Sequence, residues 1–131
     1  MLSMTTGAPA TVLLIDDDDQ VRGMCKSFLE EIGFRVLATG DPLEALLLAV
    51  QWKGSIDLVI TDVVMPKMSG AELGRVFGEV WPELNVLYMS GSPKEIVSRE
   101  LPPDCAFLPK PFAFDQLVSA VLRCVPSFPE A

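Results

Sequence analysis

The sequence predicts an α/β domain built on a five-stranded parallel sheet with helices on both faces. Two observations carry that reading. Short β-branched or apolar runs alternate five times with segments whose apolar residues recur at helical spacing. The first run, Thr11 to Ile15, is β-branched and apolar without alternating polar residues, as in a strand buried on both faces. The length sets the frame: 131 residues, 50% hydrophobic and 21% charged, suit one globular domain with a sizeable core.

Residues 11–15 read as the first strand. Val21, Met24, Cys25, Phe28, Leu29 and Ile32 follow at helical spacing, and Gly33 ends that helix. Residues 35–38 are the second strand. Asp41 caps the second helix, Pro42 suits its first turn and Glu44 completes a capping box. Leu43, Leu46, Leu47 and Val50 are its expected buried stripe. Residues 56–61 form the third and most uniformly apolar strand. Ser69 and Glu72 make a second capping box, Leu73, Val76, Phe77, Val80 and Trp81 make the stripe of the third helix, and Pro82 stops it. Residues 85–89 are the fourth strand. Ser92, Pro93 and Glu95 begin a short fourth helix that buries Ile96, Val97 and Leu101 before Pro102 and Pro103 cut it off. Residues 105–108 are the fifth strand. Phe114, Leu117, Val118, Val121, Leu122 and Val125 mark a long last helix. Right-handed crossovers then favour a flavodoxin-like (βα)5 doubly wound sheet, order 2-1-3-4-5. The domain spans residues 11–125, with residues 1–10 and 126–131 as tails and Met4 as suitable a start as Met1.

Composition excludes several functions. The formal net charge is −8 with no Lys/Arg cluster, which disfavours direct nucleic-acid binding and suits a basic patch on a protein partner. No apolar run is long enough to span a bilayer, and no signal peptide is apparent at the start. Cys25, Cys105 and Cys124 are odd in number and lack metal-ligand spacing, so they read as reduced, mostly buried and cytoplasmic. The chain has no histidine, so any chemistry runs on carboxylates, hydroxyls and lysines.

Those groups stand just past the strands. Asp16 to Asp19 follow the first, Asp62 closes the third, Ser90 and Gly91 follow the fourth, and Lys110, Pro111 and Phe112 follow the fifth. In a doubly wound sheet these strand ends converge on one edge. Taken alone, Asp62 reads as a turn or cap residue. Beside Asp16 and Asp17 it belongs to a cluster whose mutual repulsion raises pKa values. A divalent cation with oxygen ligands relieves that repulsion, and Mg2+ fits because it accepts few carboxylates and takes phosphate oxygens. A carboxylate can also attack phosphorus and hold a phosphoryl group, given charge neutralisation around it. Lys110 can supply a point charge and Ser90 a hydrogen bond. Asp18 and Asp19 read instead as solvated residues favouring the start of the first helix.

These motifs resemble the receiver domain of two-component response regulators. Val-Leu-Leu-Ile leads into Asp16, Asp17 and Asp18; Asp62 is followed by Pro66 and Gly70; Ser90-Gly91 and Lys110-Pro111-Phe112 come later, all in order and at fitting spacing. The resemblance implies that Asp62 is the phosphoacceptor. It implies Asp17 as a direct Mg2+ ligand, Asp16 as a ligand through water, and the Val64 carbonyl as a further ligand. Ser90 becomes the switch hydroxyl, Lys110 the phosphate-contacting lysine and Phe107 the aromatic switch, although an aromatic on a central strand is otherwise core. The implied donor is a sensor histidine kinase or histidine phosphotransfer protein. The implied output is a downstream protein docked on the face of the fourth helix, fifth strand and fifth helix, or a phosphorylation-dependent homodimer. The short fourth helix, phenylalanine where tyrosine is also common, and apolar Val64 at a position that tunes hydrolysis depart from the usual pattern.

Two other readings stand beside this one. A strand running into Asp-x-Asp also opens haloacid-dehalogenase-like phosphatases, with Asp16 as nucleophile and Asp18 as acid. A phosphorylation-independent interaction module is the other. Only residues 126–131 follow the last helix, which suits a stand-alone regulator, a phosphate shuttle or a receiver from a hybrid kinase.

Overall fold

The computed structural model describes residues 10–93 and 99–125. Five parallel strands form one sheet in the order β2-β1-β3-β4-β5. They are β1 (Thr11–Ile15), β2 (Arg35–Thr39), β3 (Leu58–Asp62), β4 (Asn85–Ser90) and β5 (Ala106–Pro109). The described helices are α1 (Asp19–Glu31), α2 (Pro42–Gln51), α3 (Gly70–Val80) and the C-terminal α4 (Phe114–Cys124). The predicted fold class and strand order hold. β3 begins at Leu58 rather than Ile56, because Asp57 turns to join β1: its backbone N–H donates to the Thr11 carbonyl (2.8 Å) and its carboxylate accepts from the Thr11 N–H (2.8 Å). β5 runs one residue later than expected, paired with β4 from Leu87–Ala106 to Ser90–Pro109.

Central strands β1 and β3 are buried along their whole length, as their unbroken apolar runs require. Val12, Leu14, Leu58, Ile60, Leu87 and Met89 pack on one face against Cys25 and Leu29 of α1 and Leu117 and Val121 of α4. Leu13, Ile15 and Val59 pack on the other against Ala45 and Ala49 of α2 and Leu73 and Phe77 of α3.

Helix ends follow their caps. The Asp18 carboxylate accepts from the N–H groups of Gln20 (2.9 Å) and Val21 (3.2 Å), opening α1. Gly33, at φ 108°, takes the left-handed position past its end. The Ser69–Glu72 capping box forms in both directions at 3.1 Å. The capping box expected at Asp41 and Glu44 does not close. The Asp41 N–H donates instead to the Thr39 hydroxyl (3.1 Å), and that hydroxyl donates to the Glu44 carboxylate. A hydroxyl from the strand end is thus inserted into the box.

The expected stripe of α2 is a second correction. Leu43, Leu47 and Val50 are exposed at 51%, 65% and 63%, while Pro42, Ala45 and Ala49 face the sheet. Of the expected stripe, Leu46 is half-buried against this core while Leu43, Leu47 and Val50 turn outward. In α3 and α4 the expected stripes shift less: Leu73, Phe77, Leu117 and Val121 are buried, whereas Val80 and Phe114 are exposed. Phe114 meets Phe28 edge-on, with centroids 5.0 Å apart. Of the expected fourth helix, Leu101 is buried, and Glu95, Ile96 and Val97 lie outside the described residues. Cys25 and Cys124 are buried and Cys105 is half-buried. Among the described residues no helix is long and apolar enough to cross a membrane.

Burial separates two leucines that the sequence treats alike. Leu73→Ala should cost about 2–5 kcal/mol through lost transfer energy and a cavity, whereas Leu47→Ala should change stability by no more than about 0.5 kcal/mol. Urea unfolding midpoints measure both, and equal losses at the two positions would contradict this packing.

Candidate functional site

The carboxyl ends of β1, β3, β4 and β5 meet at one edge of the sheet, and each carries a polar group there. Asp16 directly follows β1. Its N–H donates to the Thr39 carbonyl (3.1 Å), extending the pairing with β2 by one residue and burying the side chain completely. Asp16 Oδ1 accepts from the Asp18 N–H (2.9 Å). Asp16 Oδ2 lies 2.8 Å from Lys110 Nζ, which holds this buried oxygen against the ammonium.

Asp62 ends β3 at 7% exposure, and its Oδ2 lies 3.4 Å from the same ammonium. Asp17 is exposed at the rim. One carboxylate oxygen from each of Asp16, Asp17 and Asp62 lies within 4.8 Å of the others. Lys110 is held by the sheet, its N–H donating to the Ser90 carbonyl (2.8 Å) ahead of a cis peptide bond to Pro111. Ser90 is buried and its Oγ accepts from the Ser92 N–H (3.0 Å). Val64 stands two residues past Asp62 with its side chain exposed, in a loop closed by a bond from the Gly70 N–H to the Val63 carbonyl (2.8 Å).

Phe107 lies farther down. It is half-buried on β5, paired with Tyr88 and packed against a cluster of Val63, Ala71, Tyr88 and Leu101. An open cleft of about 440 Å³ runs between it and Ser90, also bordered by Gly91, Ser92, Pro93 and Lys110.

The electrostatics follow from this crowding. Burial pushes the Asp62 carboxyl up to about 6; Lys110 opposes the shift and the charges of Asp16 and Asp17 add to it. Burial works against the charged form of Lys110, but contacts with Asp16 and Asp62 outweigh it and leave its pKa raised. Burial and the Asp16 charge push the Cys25 thiol up to about 12, so it stays protonated. Three carboxylates against one ammonium leave an excess of negative charge. The donor set is all oxygen, and its carboxylates, one of them fully buried, share the single ammonium of Lys110 among the described residues. That combination suits a small hard dication such as Mg2+.

Asp16, Asp17, Asp62 and Lys110, named from sequence, are therefore brought together. Asp18 and Asp19 are not: Asp18 caps α1, and Asp19 pairs with Arg22 at 2.5 Å. With its oxygen engaged as a cap, Asp18 is poorly placed as the acid of an Asp-x-Asp phosphatase. Two further residues shape the site from outside the carboxylate cluster. Gly70 packs so closely on the end of β3 that an added β-carbon would lie 2.1 Å from the Asp62 carbonyl oxygen. Arg22 Nη1 donates to the Asp16 carbonyl at 2.8 Å.

The family model of the response regulator receiver domain matches residues 12–122. The sensor kinase CckA of Brucella abortus is 38% identical over 114 residues, covering 86% of this chain and 12% of that protein. The transcriptional regulator NtrC of Azospirillum brasilense is 35% identical over 124 residues, covering 90% and 24%. The chain thus spans a quarter or less of these two relatives. The receiver protein CpdR of Brucella abortus is 30% identical over 112 residues, covering 84% of this chain and 92% of that protein. Among solved structures, a receiver domain protein from Clostridium thermocellum superposes with TM-score 0.78 at 30% identity, covering 89% and 94%. The receiver domain of hybrid histidine kinase CckA gives 0.76 at 30% identity, covering 88% and 99%.

Two predictions test the site. A carboxyl raised from 3.8 to about 6 in the folded state stabilises below pH 3.8, and that stability is lost as pH rises through 6. Without divalent metal, Asp62→Asn should therefore be more stable than wild type at pH 7, by on the order of 1–3 kcal/mol. The gap should close between pH 6 and 4, as read from thermal melts in chelator; a gap that does not depend on pH would contradict the shift. Gly70→Ala should destabilise by about 1–3 kcal/mol and weaken Mg2+ binding, because the strand end carrying Asp62 must move. Denaturant unfolding and metal titration measure the two effects.

Proposed function

The chain belongs to the response regulator receiver domain family, and from that premise we propose that it accepts a phosphoryl group on Asp62 in a phosphorelay, with Mg2+ held by its acidic pocket. Phosphorelay signalling is the work of this family, and its receivers are signalling modules rather than turnover enzymes. The observation that carries the residue assignment is the convergence of three carboxylates within 4.8 Å around one lysine whose Nζ lies 2.8 and 3.4 Å from two of them.

In the proposed reaction a phosphohistidine on a sensor histidine kinase or phosphotransfer protein is the donor. An ionised Asp62 oxygen bonds to phosphorus as the P–N bond breaks, and the electron pair stays on the imidazole nitrogen. Asp17 and Asp62 would hold Mg2+ directly, Asp16 through water, and the Val64 carbonyl would complete the protein ligands. When bound, the ion offsets carboxylate charge and accepts phosphoryl oxygens. Lys110 sits where it can neutralise a phosphoryl oxygen as Asp62 changes partner. Water hydrolysing the acyl phosphate returns Asp62 to its resting form.

The output runs through Ser90 and Phe107. A phosphoryl oxygen on Asp62 would draw the Ser90 hydroxyl from its contact with the Ser92 N–H by a charge-assisted bond. The cleft between Ser90 and Phe107 supports this reading, since it provides space into which the ring can turn. The altered surface around β5 and α4 would meet a downstream protein or a second phosphorylated copy. Cytoplasmic location, with its reducing conditions, fits the buried thiols of Cys25 and Cys124.

The test is incubation with Mg2+ and a small acyl-phosphate donor, read by intact mass. Wild type should gain one phosphoryl group, and Asp62→Ala none. Excess chelator should abolish the gain, and Lys110→Ala should slow it by roughly tenfold or more. If Asp16→Asn alone abolishes the adduct and Asp62→Asn keeps it, the phosphatase reading replaces this one.

A further inference from the structure

We infer that Arg22 is a positioning residue for the acidic pocket: by gripping the Asp16 carbonyl across Gly40, it sets the affinity of Asp16, Asp17 and Asp62 for a divalent cation. The inference rests on the Mg2+ reading above.

Asp16 is held by its main chain on both sides. Its N–H is tied to the Thr39 carbonyl (3.1 Å), and its own carbonyl accepts from Arg22 Nη1 (2.8 Å). That carbonyl belongs to the peptide plane joining Asp16 to Asp17. The plane is rigid, so fixing its oxygen fixes the direction in which the chain leaves Asp16 and enters Asp17. Two members of the carboxylate cluster are thereby aimed by one contact from α1. Arg22 Nη2 meets Asp19 Oδ1 at 2.5 Å. Because Asp19 is exposed, that pair adds little stability. It does orient the planar fork so that the other nitrogen faces the carbonyl, a double task that the single nitrogen of lysine performs poorly.

Gly40 makes the reach possible. A β-carbon there would lie 2.6 Å from Arg22 Nη1 and 3.3 Å from the Asp16 carbonyl oxygen. Gly40→Ala therefore evicts the guanidinium while leaving arginine in the chain.

Charge and position predict opposite signs. A cation near the pocket repels Mg2+, so removing Arg22 would tighten binding if its field dominated. The guanidinium instead faces a backbone carbonyl and is offset by Asp19, and Lys110 is the cation in contact with the pocket carboxylates. Position should win, and binding should weaken.

The experiment is calorimetric Mg2+ titration of the whole chain as wild type, Arg22→Ala, Arg22→Lys, Gly40→Ala and the Arg22→Ala/Gly40→Ala double variant, with circular dichroism to verify folding. Arg22→Ala and Gly40→Ala should each weaken binding by roughly tenfold or more, the loss seen when partners that orient ligands are removed. The double variant should be no weaker than Arg22→Ala, because both substitutions break one contact. Arg22→Lys should recover part of the loss. In the acyl-phosphate assay the change should appear in the Mg2+ concentration for half-maximal phosphorylation rather than in the maximal rate. Unchanged or tighter binding in Arg22→Ala, or additive losses in the double variant, overturns this inference alone. A wild-type chain that takes up no Mg2+ overturns the metal reading and this inference with it.

Discussion

Repulsion among three carboxylates at one end of a parallel sheet is the constraint around which this molecule is arranged. Asp16 is fully buried and Asp62 nearly so, yet a single ammonium, that of Lys110, stands between them. Burying like charges this close costs free energy that a structural role does not justify. The Asp62 pKa is raised chiefly by burial, with the charges of Asp16 and Asp17 adding to the shift against Lys110. A site that holds its charges poorly in isolation is one that a dication would stabilise, and under the proposed function that dication would in turn offset the charge of an incoming phosphoryl group.

The sheet supplies the rigidity such a site needs. Asp16, Asp62, Ser90 and Lys110 each sit at or within one residue of a strand end, and ladder bonds continue past the strands at Asp16, Val63 and Lys110. The loops beyond are shaped by close contacts. Gly70 lets the start of α3 rest on the Asp62 carbonyl, and Gly40 lets Arg22 cross from α1 to the Asp16 carbonyl. These contacts involve backbone atoms, so they constrain where the carboxylates point without taking up the oxygens themselves.

Helix α2 shows how periodicity can mislead. Between Leu43 and Val50 only Glu44 is polar, so a helical wheel offers several equally apolar stripes. Choosing the largest side chains gave the outward face. Ala45 and Ala49 are the covered positions against Leu13 and Ile15, with Leu46 and Leu48 packed at their edge. In α3 and α4 polar residues break the pattern, and the buried positions Leu73, Phe77, Leu117 and Val121 were legible. At Asp41 and Glu44 the capping pattern was present, but the Thr39 hydroxyl came between its halves.

The order of elements, the parallel sheet and the identity of Asp16, Asp17, Asp62, Ser90 and Lys110 were determined by sequence alone. Strand runs, helix spacing and polar groups just past strand ends are local signals, and the crossover rule turns them into a single edge. Tertiary structure alone decided how close the carboxylates stand, that Asp16 is buried while Asp17 stays exposed at the rim, and which face of α2 is covered. It also decided the parts played by Gly70, Gly40 and Arg22. Those outcomes depend on distances between segments remote in the chain, and a glycine at an element's edge or an arginine in a helix's first turn has no periodicity by which to announce its neighbour.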